Sequence, residues 1–182
     1  KFLDQQIDTT KQTITYLESV ENALKQATVA EITDIREELI QTGFIKQKHR
    51  TNKKQKLLPP EKYIATDGTV ILVGKNNLQN EQVSFKLSRK GDLWFHAKDI
   101  PGSHVLITGN PTPSDETITE AAELAAYFSK ARLSNLVQVD MIDVKKLHKP
   151  TGTPPGFVTY VGQQTVRVTA EENKIQAMRA TK

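Results

Sequence analysis

The chain has 182 residues, 37% of them apolar and 25% charged, with a net charge of +4. That is the size of one domain with an appendage, and an apolar share below the globular norm of about 45–50% implies that part of the chain builds no core. The absence of cysteine excludes a disulfide scaffold, thiolate-held zinc or iron–sulfur and a thiol nucleophile, and no apolar run approaches the roughly 18 residues of a membrane span. The start, Lys1-Phe2-Leu3-Asp4, does not read as a signal peptide and lacks an initiator methionine, so a piece of a longer chain is expected.

Charge divides the sequence into three. Residues 1–45 hold four basic and eight acidic residues, a net of −4. Residues 46–56 hold six basic residues (Lys46, Lys48, Arg50, Lys53, Lys54 and Lys56) and no acidic one, a net of +6. Residues 57–182 carry 15 basic and 13 acidic residues. We therefore expect an acidic arm over 1–45, a basic linker over 46–59 and a nearly neutral domain over 60–182. Single-sign runs of this kind are usually solvated linkers, often ones that touch a polyanion.

The arm reads as helix. Leu3, Ile7, Thr10, Ile14, Leu17, Glu21 and Leu24 alternate at spacings of four and three, the seam of a coiled coil. A second helix starts at Thr28, where Thr-Val-Ala-Glu offers a capping box; Ile32, Ile35 and Leu39 continue its stripe and Gly43 ends it. The narrow, one-sided seam favours an arm that projects over a helical hairpin packed on the domain.

After Leu57 the pattern changes to short runs and turns. Tyr63–Thr66, Asp67-Gly68 and Thr69–Val73 predict a β-hairpin. Asn77–Ser88 fits a helix only loosely. Strands are expected at Asp92–Ala97, His104–Thr108, Val137–Val144, Phe157–Val161 and Thr165–Val168. A helix capped by Asp115 runs to Arg132, its face of Ile118, Ala121, Ala122, Ala125 and Phe128 suited to lie on a sheet, and Ala170–Met178 closes the chain as a short helix. The fold class is α+β: a mixed or largely antiparallel sheet with a packed helix, preceded by a helical coiled-coil arm.

Gly68-x5-Gly74-Lys75-Asn76 fails as a phosphate loop, because four residues must separate the glycines and Ser or Thr must follow the lysine. The stretch Gly91 to Val105 is the most distinctive. Strand alternation puts Leu93, Phe95 and Ala97 on a core face and Asp92, Trp94 and His96 on the other. An antiparallel return brings His104 near His96. One reading is a platform on which Trp94 stacks a base while the imidazoles hydrogen-bond. The other puts Trp94 under the 115–132 helix, with Asp92 orienting a buried histidine. No ligand geometry for a metal is fixed, and no nucleophile or oxyanion donor accompanies the histidines.

Several motifs make the domain recognisable. Gly74-Lys75-Asn76-Asn77 with Asn80-Glu81, Asp92-Leu93-Trp94-Phe95-His96 and Pro101-Gly102-Ser103-His104-Val105 closely resemble the NFACT-R domain. So do Ala121-Ala122, Ala125 to Arg132, Lys149-Pro150-Thr151-Gly152 and Pro155-Gly156-Phe157-Val158, while Ile35-Arg36-Glu37-Glu38-Leu39 with Gly43 is similar to the end of the coiled-coil region that precedes it. The resemblance covers residues 60–182 in order and identifies the NFACT family of ribosome-quality-control factors, long labelled fibronectin-binding protein A in Gram-positive bacteria. It implies a cytoplasmic, non-enzymatic RNA-binding module without cofactor or metal, part of a factor that binds obstructed large ribosomal subunits and tRNA. There the stalled peptide receives alanine without a template, the ribosome performing the transfer. It further implies an RNA-binding or functional patch of Asp92, Trp94, His96, His104, Lys75, Asn76 and Lys98. Phosphate contacts with rRNA or tRNA would come from Lys46, Lys48, Arg50, Lys53, Lys54 and Lys56, and from a second basic loop with Lys145, Lys146 and Lys149. The alternatives are a surface adhesin whose partner is fibronectin, which has neither signal, anchor nor repeat in its favour, and an enzyme acting on RNA through Asp92, His96 and His104.

Overall fold

Six strands form one antiparallel sheet in a computed structural model that describes residues 2–46 and 57–180. In chain order the elements are α1 (Phe2–Gln26), α2 (Val29–Gln41), β1 (Glu61–Ile64), β2 (Val70–Val73), α3 (Asn77–Glu81), β3 (Leu93–Ala97), β4 (Val105–Thr108), α4 (Asp115–Tyr127), β5 (Val137–Asp143), β6 (Gln164–Val168) and α5 (Glu172–Met178). The sheet order is β1-β2-β4-β3-β5-β6 and every pairing is antiparallel. The hairpin forms as its turn chemistry requires, with Gly68 at φ +86° and the Ala65 N–H bonded to the Thr69 carbonyl.

Alternation along β3 sorts two cores. Phe95 and Ala97, with partners such as Val105 and Val139, lie under α4 in the main cluster. Trp94, opposite Leu106 and Ile142, lies on the other face in a second cluster with Val83. That face is closed by a π-helical turn at residues 82–86 that continues α3, and by the irregular loop carrying Val158 and Tyr160. The ambiguous stretch 77–88 is thus one short helix widening into a π turn.

Three expectations are corrected. Ser114, not Asp115, caps α4, its hydroxyl accepting from the Thr117 N–H. The helix ends at Tyr127 rather than Arg132, because the Lys130 N–H turns away to the Pro101 carbonyl and the Ser103 N–H takes the carbonyl of Phe128. Phe157–Val161 is no strand: Thr159 makes only an isolated bridge with His148, and the segment crosses the second sheet face as a loop.

The arm both projects and packs. Leu3, Ile7, Ile14, Leu17 and Leu24 of the expected seam are all exposed. What α1 buries is Tyr16, Val20 and Asn22, the first two packed with Ile35 of α2. The expected capping box at Thr28 is present, with the Thr28 N–H bonded to Glu31 Oε2 at 2.7 Å.

Candidate nucleic-acid interface

The motif residues converge at one end of the sheet. Gly74 leaves β2 with its N–H on the His104 carbonyl (3.0 Å). A Cβ there would press into Asn80, 2.8 Å from its main-chain nitrogen, so only glycine lets the two segments meet. Asn80 Oδ1 accepts the His104 main-chain N–H at 2.9 Å, and Asn80 Nδ2 donates to the Gly102 carbonyl at 3.4 Å. Asn76 caps α3 by accepting from the Gln79 N–H (2.8 Å). Gly156 brings the Pro-rich loop against Asn77, its N–H bonded to Glu81 Oε2 (3.0 Å).

Antiparallel pairing of β3 and β4 does bring His96 and His104 together, with ring centroids 5.2 Å apart. His104 is buried and held by a chain of hydrogen bonds. Trp94 Nε1–H donates to Ser84 Oγ (3.0 Å), and the Ser84 hydroxyl meets His104 Nδ1 (2.7 Å), one proton bridging the pair. Burial holds the His104 pKa well below the usual histidine range, with His96 adding to the effect.

His96 is half-buried, its ring stacked on Trp94 at 5.7 Å and 22°. Burial pushes it down to about 4, against the opposing pull of the Gly102 carbonyl, Asp140 and Asp99. Both imidazoles are therefore neutral at physiological pH, as hydrogen-bonding groups rather than cations.

Two members of the expected patch lie elsewhere in the structure. Trp94 is 0% exposed, enclosed by Val83, Leu106, Ile142 and, edge-on at 5.2 Å, Tyr160; it offers no free face to a base. Nor does it lie under α4, which covers the opposite face. Asp92 is buried and orients no histidine: it accepts from Arg89 N (2.8 Å), Thr108 Oγ1 (3.1 Å) and Gly109 N (3.1 Å), tying two loops. Lys75 Nζ sits 3.5 Å over the Phe128 ring, burial pushing it down to about 8. Lys98 is half-buried and is not among the residues that line the cleft, and its main-chain N–H continues the sheet to Gln138.

Among the candidate phosphate contacts, Lys145 pairs with Asp143 (3.2 Å), Lys146 reaches the Gly162 carbonyl (3.5 Å) and Lys149 pairs with Glu81. Lys149 is thus part of the brace that seats the Gly156 loop. Lys46 is exposed, and Lys48, Arg50, Lys53, Lys54 and Lys56 lie outside the described residues.

These pieces enclose a cleft of about 360 Å³. His96 and His104 form its floor, Asp99 to Gly102 one wall, Pro154 to Tyr160 another, and Thr15 to Ser19 of α1 the third. Asp99 stands at φ +55°, a left-handed conformation that Asp tolerates better than most residues. Asp140, which the sequence did not single out, is buried behind the cleft and accepts from Tyr160 Oη (3.1 Å) and Thr165 Oγ1 (2.6 Å). Asn77 and Asn80 stood in the motif that carries the resemblance but were not placed in the patch, and Tyr160 was missed. Among the described residues, no group of three His, Asp or Glu is placed to hold a metal ion, and no helix is long and apolar enough to cross a membrane.

The arm is docked onto this end by polar contacts. Glu38, 1% exposed, accepts from Tyr16 Oη (2.8 Å), Asn77 Nδ2 (2.9 Å) and the Asn77 N–H (3.1 Å). Burial raises its pKa while these donors pull it back. Asn77 Nδ2 also reaches Ser19 Oγ (2.8 Å), and Asn22 Nδ2 donates to the Phe128 carbonyl (3.2 Å). Truncating Glu38 to Ala strands these donors at a cost of roughly 2 kcal/mol. Hydrogen exchange is expected to quicken in α2 and α3 while β2 and β4 keep their protection. Uniform loss across the sheet would mean that the network serves the whole domain rather than the docking.

The family model described as NFACT protein RNA binding domain matches residues 61–166, and that of the NFACT N-terminal and middle domains matches residues 1–57. The Rqc2 homolog RqcH of Streptococcus suis is 66% identical over 98% of this chain, and that of Bacillus subtilis 43% identical over 95%. The chain spans only 32% and 31% of these relatives' lengths. The solved C-terminal part of a fibronectin/fibrinogen-binding protein from Streptococcus suis is 66% identical, with a TM-score of 0.95 over 98% of this chain and 72% of that one. Matched over more than half its length by one of the family's own domains, and seated on the motifs that define the cleft, the chain belongs to the NFACT family.

Proposed function

We propose that this chain is the RNA-binding part of a cytoplasmic ribosome-quality-control factor. The longer protein binds obstructed large ribosomal subunits and tRNA, and supports template-independent alanine tailing of the stalled peptide. The chain itself is a binding and positioning module, not an enzyme. The match of residues 61–166 to an RNA-binding domain carries this reading, and the RqcH relatives supply its ribosomal setting. Charge agrees with it: a net +6 over residues 46–56 enters the domain directly, where it neutralises phosphates without reading sequence. Chemistry agrees too. The two histidines are neutral, the one hydroxyl bonded to them, that of Ser84, is buried beneath the indole of Trp94, and the Asp92 carboxylate is committed to loop amides.

Replacing Lys46, Lys48, Lys53, Lys54 and Lys56 together by Gln is expected to weaken retention on RNA and large subunits and leave the melting temperature unchanged. Each phosphate that is no longer neutralised flattens the log–log salt dependence by about one unit. An unchanged slope makes the segment a spacer, and salt-insensitive binding to fibronectin in place of RNA overturns the reading in favour of an adhesin.

A further inference from the structure

We propose that the cleft over His96 takes one unpaired guanine base of the bound RNA. This rests on the RNA-binding reading and adds to it a site and a specificity. Small-molecule sites run from about 300 to 1,000 Å³, so 360 Å³ suits a single base with its sugar. Part of the lining is apolar. Ile100 and Pro101 stand on one side, and Pro155, Phe157 and Tyr160 on the other, Phe157 and Tyr160 only half-buried. Such surfaces stack any base and choose none.

The polar groups make the choice. His96 is neutral, so one of its ring nitrogens carries the proton and the other is an acceptor. Asn77 spends its amide donors on Ser19 and Glu38, so its Oδ1, facing Gly156, is also an acceptor. The carboxylate of Asp99 accepts only, and among the described residues neither an ion pair nor a hydrogen bond engages it. Other acids nearby are committed: Asp140 to Tyr160 and Thr165, and Glu18 to Lys130 at 3.3 Å. The cleft therefore asks its occupant for donors.

Of the four bases, guanine alone presents adjacent donors on its Watson–Crick edge, N1–H and the N2 amine, the pair that a carboxylate accepts bidentately. Adenine and cytosine place one amine beside an acceptor, and uracil flanks its single N–H with two. A base reaches such a site only when unpaired, the state in which proteins read RNA sequence. The left-handed backbone at Asp99 lies at the mouth, where a held, otherwise unfavourable conformation serves a ligand.

The test uses the 182-residue chain and fluorescent RNA hairpins whose single-stranded loops are all uridine, or uridine with one guanosine, inosine or adenosine. The guanosine loop is expected to bind about tenfold or more tighter than the adenosine loop, the scale of one bidentate base contact, with inosine, which lacks the N2 amine, between them. Asp99→Asn, an exposed change that keeps a residue suited to the left-handed region, should erase the preference for the guanosine loop. Equal affinities for the guanosine and adenosine loops, or a preference that survives in Asp99→Asn, overturn the guanine site and leave RNA binding standing. Failure to retain any of the hairpins at low salt overturns the RNA-binding reading and this site with it.

Discussion

Trp94→Ala is expected to lower the unfolding free energy by about 3–5 kcal/mol, the range for truncating an enclosed aromatic side chain. The indole has no exposed surface and fills the second core between Val83, Leu106 and Ile142. It also meets His104 edge-on at 4.9 Å and holds Ser84 through Nε1. Removing it leaves a cavity beneath His96 and takes away the donor that fixes the Ser84–His104 chain. Trp94→Phe separates these effects: it refills much of the volume but leaves Ser84 Oγ without its donor, at a cost of about 1–3 kcal/mol. Urea unfolding at constant m, read beside the RNA affinity of the folded fraction, distinguishes the roles. Because the indole is core, the folded fraction of Trp94→Ala should hold polyuridine RNA nearly as well as the parent. A normal unfolding midpoint with affinity reduced fivefold or more would mean that the indole reaches RNA after all.

Why Trp94 misleads a reader of the sequence is instructive. The period-two alternation of β3 is correct, and so is the core role of Phe95 and Ala97. The other set, Asp92, Trp94 and His96, has two polar members and so reads as a surface, whereas the structure covers this face as well. Its cover is a π-helical turn and a Pro-rich loop, neither of which has a hydrophobic period to detect. The α+β class, the Asp67-Gly68 hairpin and the Thr28 capping box follow from local chemistry and were legible. The docking of the arm was not, because Glu38, Asn22 and Asn77 make it with hydrogen bonds, while the apolar seam that draws the eye stays in solvent. As for the cleft, its motifs Gly74-Lys75-Asn76 and Pro101-Gly102-Ser103-His104 mark the right end of the sheet. Of its acceptors, His96 and Asp99 lie three residues apart, but Asn77 comes from α3, a juxtaposition that only the tertiary fold supplies.

The buried histidines should make the domain acid-sensitive in a defined window. In the unfolded chain His96 and His104 take up protons near the ordinary value of about 6.5. In the folded chain His96 does so only near 4, and burial holds His104 well below its ordinary value. Between these values the unfolded state binds more protons, so stability falls as pH drops from about 6.5 to about 4, and it is fully present above 6.5. His96 alone accounts for about 3 kcal/mol across the window, at about 1.4 kcal/mol for each pH unit. Glu38 and Asp34 act in the opposite sense. Their pKa values are raised by burial, so acid relieves a cost as pH falls through those values towards the ordinary carboxylate range. The net loss is therefore the histidines' loss less the carboxylates' gain wherever the two overlap. Denaturant midpoints at pH 7.5, 6.5, 5.5 and 4.5, taken for the parent and for His96→Gln, isolate the group. The substitution keeps a hydrogen-bonding side chain but cannot titrate, so its stability should decline by about 1 kcal/mol less per pH unit below 6. The same decline in both chains would mean that His96 is protonated in the folded state at mild acidity. It would then be a donor on both nitrogens, and the cleft would lose the acceptor that a guanine edge requires.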